Sequence, residues 1–358
     1  MLIDYELSQI QTVDHLIKIW TARYVPNVST LALDNNRAIR DRLRLTVSKQ
    51  GRLKTANKLH KHLIEDQCSL AAVRARELYS YYDPSIYEET ANLAKFTSRI
   101  YLKLMEVYQE STSMVISSEA TSDLSLETWG IPNIEELALE LGLLLLELKE
   151  RYRSAKSWQS VGFLSTQITL SNELILEQLE PTEQVFINCY LKFLEEQVSL
   201  PWQRVCAATA KCTLAAQAFS IVERMLPLTT EISTIVYERW SKSFQSYSSR
   251  RGSINHPGVK HSLIRDLDMF QAYLWLCFLE KNTAFIDQEL SAICSIVLNA
   301  LKISWEMIIE GVFLLTDEIT QRLEPEQQEL VKPYIRAMIR TFSKPLNIKN
   351  TAIADLRR

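Results

Sequence analysis

The chain has 358 residues, 47% of them hydrophobic and 23% charged, with a formal net charge of −3. That length allows more than one domain, and so small a negative balance excludes a whole-chain affinity for nucleic acid or an acidic membrane surface. Only seven glycines are present, few against the usual ~7%, so turns are scarce and the long periodic stretches point to an all-α protein.

Residues 4–24 read as the first helix, with Leu7, Ile10, Val13, Leu16, Ile17 and Trp20 on one face and Pro26 beyond its end. The segment is amphipathic and carries no basic leader before an apolar core, so it is not read as a signal peptide. Residues 33–66 read as mostly helical with an interruption near Gly51, and they are basic. Arg37, Arg40, Arg42, Arg44, Lys49, Arg52, Lys54, Lys58 and Lys61 stand against Asp41 alone. A solvated helix surface explains such a run. The functional reading is a contact face for an acidic partner through Arg37, Arg40, Arg44, Lys54 and Lys58. No aromatic side chains interleave with these cations and no DNA-reading helix pair is recognisable, which argues against nucleic acid. His60 and His62 lie two apart, on different helix faces, whereas helical metal ligands sit three or four apart. With only His15, His256 and His261 besides, no metal site is expected.

Two further helices, 68–82 and 85–109, are divided at Asp83-Pro84, with Tyr79, Tyr81, Tyr82 and Tyr87 packing at the junction. Residues 111–132 are rich in Ser and Thr and form a linker. From Ile134 to about 157 the periodicity returns, with Leu137, Leu141, Leu144, Leu145 and Leu148 as an inner stripe and Glu135, Glu136, Glu140, Glu147 and Glu150 on the other side. Its apolar run Leu137–Leu146, interrupted by Glu140, is far shorter than the ~20 residues of a membrane span. Helices then follow at 165–180, 181–198, 201–225 and 230–243, a polar loop at 246–255, and helices near 283–301, 303–322 and 325–344. The expected organisation is a helical N-terminal domain (1–110), the linker (111–132), a bridging helix (133–164), a helical C-terminal domain (165–345) and a tail (346–358).

The most informative stretch runs from His256 to Asp287, HPGVKHSLIRDLDMFQAYLWLCFLEKNTAFID. Pro257 suits the first turn of a helix. Val259, Leu263, Leu267, Phe270, Leu274, Cys277 and Phe278 then recur at three- and four-residue steps, a buried stripe. Asp266 stands at its margin, where an ionised carboxylate needs a partner. Arg265 adjoins it in sequence without sharing its face.

This stretch resembles the chromophore-binding helix of the phycobiliproteins, the globin-like subunits of the light antenna. Leu263-Ile264-Arg265-Asp266 takes the place of that family's attachment Cys, one intervening residue and Arg-Asp, and Asp287 matches the acidic residue that opens the next helix. Ser304-Trp305 followed by Glu306–Glu310 resembles the start of the family's last helix, and Ile235-Val236-Tyr237 the end of an earlier one. The resemblance covers roughly 165–340 and implies a globin-like, phycobiliprotein-like helical C-terminal domain. It also implies that Asp266 accepts hydrogen bonds from bilin pyrroles and that Arg265 contacts a propionate, a carboxylate suiting two N–H donors and a guanidinium a carboxylate. Leu263 in the cysteine's place removes the thiol for covalent attachment, and Met269 stands where a Tyr is usual.

Six cysteines, Cys68, Cys189, Cys206, Cys212, Cys277 and Cys294, form no CxxC pair and read as buried, reduced thiols. There is no Gly-rich phosphate loop and no nucleophile elbow. The adjacent Glu195 and Glu196 point to different sides of a helix, so no enzyme is expected. The leading expectation is a non-enzymatic assembly, scaffold or regulatory factor of the photosynthetic antenna or thylakoid complexes. It would carry no cofactor, lie in the cytoplasm or at the thylakoid surface, and associate with phycobilisome or photosystem components or as a homodimer through exposed apolar surface around 165–225. The alternative is a sensor or carrier of a non-covalent bilin or other tetrapyrrole, and a third reading is a regulator using 37–61 on an acidic target.

Overall fold

The computed structural model describes residues 15–24, 37–79, 90–110, 134–154, 159–211, 216–249, 251–300 and 303–343. The expected linker, the tyrosines 81, 82 and 87, Cys212 and the tail lie outside them. The described residues are almost entirely helical: α1 (15–21, continued by a 3-10 turn Ala22–Tyr24), α2 (Arg37–Val47), α3 (Lys49–Lys58), α4 (Lys61–Leu78), α5 (Thr90–Glu110), α6 (Ile134–Ser154), α7 (Gln159–Leu176), α8 (Pro181–Ser199), α9 (Trp202–Lys211), α10 (Ala216–Met225), α11 (Thr229–Ser243), α12 (Pro257–Glu280), α13 (Ser291–Ala300), α14 (Trp305–Gln321) and α15 (Pro325–Phe342). One short hairpin pairs Ser248–Ser249 with Gly252–Ser253. The all-α reading holds, and the C-terminal helices fall where the periodicity put them. The chain divides into two units. One comprises Met1–Trp20, Ser157–Phe163 and Ser199–Arg358, the other Thr21–Lys156 and Leu164–Val198.

In the unit built from Thr21–Lys156 and Leu164–Val198, Gly51 lies inside α3 rather than at a break. The breaks fall at Ser48 and His60, each of which caps the helix it precedes, Ser48 accepting from the Gly51 N–H and His60 from the Leu63 N–H. A β-carbon on Gly51 would stand 2.0 Å from the Leu45 carbonyl oxygen, so glycine is what lets α3 close onto the end of α2. Small buried residues on α4, Ala71, Ala72 and Ala75, let α5 lie close against it. Over 164–175, α7 is buried on every side except Glu173, with polar rather than only apolar contacts. The Tyr79 hydroxyl lies 2.7 Å from that of Thr166, the Tyr101 hydroxyl donates to Asn172 Oδ1 at 2.6 Å, and the Thr169 hydroxyl donates to Glu195 at 2.7 Å. Leu164, Ile168, Leu170, Phe186, Leu191 and Leu194 are all 6% exposed or less. This corrects the expectation of exposed apolar surface over α7 and α8: their hydrogen bonds to α4, α5 and each other draw them into the core.

In the other unit, α12 is the axis. It packs against α9, α10, α11, α15 and the π-helical turn Phe285–Leu290, and from Leu267 to Leu279 every residue is buried. A helix buried all round belongs at the centre of its domain. Pro257 occupies its first turn, and Lys281 in the left-handed region at φ 50° ends it. Phe270 packs on Phe342 with tilted rings, centroids 4.9 Å apart, and Phe278 meets Tyr334 edge-on at 5.6 Å. These contacts seat α15 on the central helix. From α1, Trp20 lies 4.0 Å from the Trp202 ring of α9. The face of α11 turned to α14 is held by ion pairs: Arg239 meets Glu318 and Asp317, and Arg322 at the end of α14 meets Glu318 and Glu231.

Candidate functional site

The start of α12 is shaped by the hairpin that precedes it. Gly252 has φ +126°, and a β-carbon there would press to 3.0 Å from the His256 side chain, so only glycine turns the chain this tightly. The Tyr237 hydroxyl on α11 donates to the Ile254 carbonyl at 3.1 Å, and the Lys260 ammonium lies 5.2 Å from the centre of its ring. Arg251 reaches from the hairpin to the Ser262 hydroxyl at 2.9 Å. The hairpin is thereby fixed on the first two turns of α12, one turn before Arg265 and Asp266.

Arg265 and Asp266 meet each other. Arg265 donates from Nε at 3.0 Å and from Nη2 at 2.6 Å, both to Asp266 Oδ1. Neighbours in a helix point about 100° apart, but the long guanidinium arm spans that angle while its stem stays buried. The Arg265 side chain is 9% exposed and that of Asp266 22%, so the pair is largely withdrawn from water and its two charges cancel locally. Leu263 is buried. Cys294 of α13 is near enough for the Asp266 charge to act on its thiol, and burial is the larger of the two influences that push that thiol far above the usual cysteine value. It is held as neutral S–H, a poor nucleophile.

Sequence reasoning missed three polar groups on this helix. Asp268 is more deeply buried than Asp266, at 2% exposed. The fully buried Gln271 donates to the Thr229 carbonyl and the Ser233 hydroxyl, both at 2.9 Å, tying α12 to α11. The Tyr273 hydroxyl, pushed up by burial, lies against Glu289. Glu289 takes two bonds from Arg204, at 2.6 and 3.2 Å, while the Arg204 guanidinium covers the Phe285 ring at 4.7 Å. Apolar periodicity alone cannot reveal such groups, since it looks for the residues they interrupt. Asp287, singled out by resemblance, accepts from the Thr283 and Thr341 hydroxyls and lies 3.6 Å from Arg340, linking the π-helical turn to α15.

Residues 210–342 match the family model of the phycobilisome protein. This region runs from the end of α9 to the end of α15 and contains α12 with its hairpin and the Arg265–Asp266 pair. The phycobilisome protein region therefore coincides with the axis of its unit and most of the helices packed on it. No curated protein and no solved structure matches the chain.

The basic residues lie in the other unit. Arg37 and Arg40 are on α2. Arg44 is exposed, 3.9 Å from Asp41, and Lys54 is exposed on α3. Lys58 is engaged within the fold, 2.7 Å from Glu183, and Arg52 is buried and donates to the Val47 carbonyl. Among the described residues no cluster of His, Cys, Asp and Glu could hold a metal ion, and no helix is long and apolar enough to cross a membrane.

Proposed function

We propose that this protein is a non-enzymatic companion of the photosynthetic antenna, an assembly, scaffold or regulatory factor that works by binding antenna or photosystem subunits at the thylakoid surface. The reading rests on the phycobilisome protein match over 210–342 joined to one observation: the two residues that by resemblance would face a bilin are bonded to each other, Arg265 donating twice to one oxygen of Asp266. A guanidinium and a carboxylate so matched satisfy much of each other's need for partners, and a bilin would have to part them. The residue in the place of the attachment cysteine is a buried leucine, and the Cys294 thiol within reach of Asp266 is held protonated by burial. These features favour a helical scaffold that works by association over one that tethers a pigment.

The test is sedimentation of the purified full chain with isolated phycobilisomes on a sucrose gradient. The chain should travel with the antenna and contribute no visible absorbance of its own. Remaining at the top of the gradient at every ratio would reject the reading. A visible band acquired from an added free bilin, and lost in Asp266→Ala, would establish the carrier alternative in its place.

A further inference from the structure

We infer that the corner formed by α2 and α3 is a docking surface for an anionic lipid bilayer. Among the described side chains, the cations of these two helices fall into two sets. Those turned inward serve the fold: Arg52 is 2% exposed and donates to the Val47 carbonyl at 2.9 Å, and Lys58 lies 2.7 Å from Glu183 and 4.0 Å from Glu180 of α8. Arg42, Arg44, Lys49 and Lys54 are turned outward and exposed. Against these four stands one acid of α2, Asp41, 3.9 Å from Arg44, and α3 contains no acid at all. The first turns of α4 set one lysine, Lys61, against Glu65 and Asp66, so the positive excess belongs to the corner.

Two observations select a bilayer over an acidic protein. Apolar side chains share the outer faces with the cations: Leu45 is 69% and Leu53 41% exposed. Leu45 lies one helix turn after Arg42, and Leu53 one turn after Lys49. A leucine beside a cation suits the edge of a membrane, where the leucine enters the acyl boundary and the cation stays among the headgroup phosphates. Neither helix contains an aromatic residue, whereas protein interfaces are anchored by such side chains seated in pockets. The corner is also preformed. Ser48 accepts from the Gly51 N–H at 3.1 Å, and the Thr55 hydroxyl donates to Glu183 at 3.0 Å, so the outer cations are presented on ordered backbone. Each cation held near an anionic leaflet strengthens binding about fivefold. The net charge of −3 on the whole chain does not oppose this, because salt limits the interaction to about 8 Å under physiological conditions. This inference stands apart from the antenna reading, since both helices lie outside the matched region.

Co-sedimentation of the full chain with sucrose-loaded vesicles tests it, with phosphatidylcholine alone and with about a third phosphatidylglycerol added. The chain should pellet with the anionic vesicles only, and salt at about 0.5 M should release it. Arg42→Glu with Lys54→Glu should weaken binding by ~30-fold or more. Leu45→Ser, which keeps every charge, should weaken it about fivefold. Helical circular dichroism should be unchanged in both variants, because these side chains already face solvent. No binding to anionic vesicles, equal binding to both kinds, or binding indifferent to the charge reversal would overturn the inference. A chain that ignores vesicles but holds polyglutamate or duplex DNA through Arg42 and Lys54 would overturn it in favour of that partner. Vesicle binding lost in the reversed variant, with sedimentation alongside phycobilisomes retained, would separate it from the functional proposal above.

Discussion

Glu195 is 2% exposed, and two of its partners are neutral side chains of α7. Thr169 donates to one oxygen at 2.7 Å, and Asn172 to the other at 3.3 Å while accepting from Tyr101. Removing such a partner leaves a buried carboxyl oxygen short of a donor, which costs more than the bond itself contributes. Asn172→Leu should therefore lower stability by about 1–3 kcal/mol. Gln167, one helix turn from Ser171, is fully buried and its amide finds no hydrogen-bond partner among the described residues. Gln167→Met should be neutral or stabilising, because it removes a desolvated amide that gets no bond in return. Urea denaturation of both variants checks the contrast, and a Gln167→Met loss as large as that of Asn172→Leu would refute it. The sequence does carry these residues, as a Ser-Thr-Gln-x-Thr-x-Ser-Asn run over 165–172. Their polarity reads as exposure, though, because hydrogen bonding across helices leaves no periodic trace.

At the scale of elements, α8 is tied to α3 at its first turn. Burial acts to raise the pKa of Glu183, but the Lys58 ammonium at 2.7 Å, the Glu180 N–H at 2.9 Å and the Thr55 hydroxyl at 3.0 Å outweigh it and hold the carboxyl below its ordinary 4.5. A carboxyl depressed in the folded state stabilises it in full above its unfolded value and loses that contribution as pH falls through the folded value. Glu183→Gln should thus lower the melting temperature at pH 7 and flatten the decline between about pH 5 and pH 3. An unchanged acid limb would remove the carboxylate from the account. Helix existence was legible wherever apolar spacing was strong, as at α6, α12 and α15. Helix limits were legible where a cap or proline marked them, as at Pro257 and Pro325. Gly51 misled because a glycine placed for a close approach to Leu45 looks the same in sequence as one placed for a turn. The continuous helix α4, expected as two, is closed in front by His60, whose capping role its residue type does not advertise.

For the whole molecule, the α12 unit is the part that carries both the Arg-Asp pair and the match to a family model over 210–342. The Leu-Ile-Arg-Asp run was visible from sequence, but the closure of Arg265 on its own neighbour was not, since it depends on a side chain reaching across a helix face. We propose that the fold around α12 serves association and tethers no pigment. Affinity purification of the tagged full chain from cells that make phycobilisomes, read on one denaturing gel for protein and for tetrapyrrole fluorescence, tests it most directly. Antenna subunits should accompany the chain, and its own 41.4 kDa band should be dark. A fluorescent band at that mass, or a chain recovered with no antenna subunit, would contradict it.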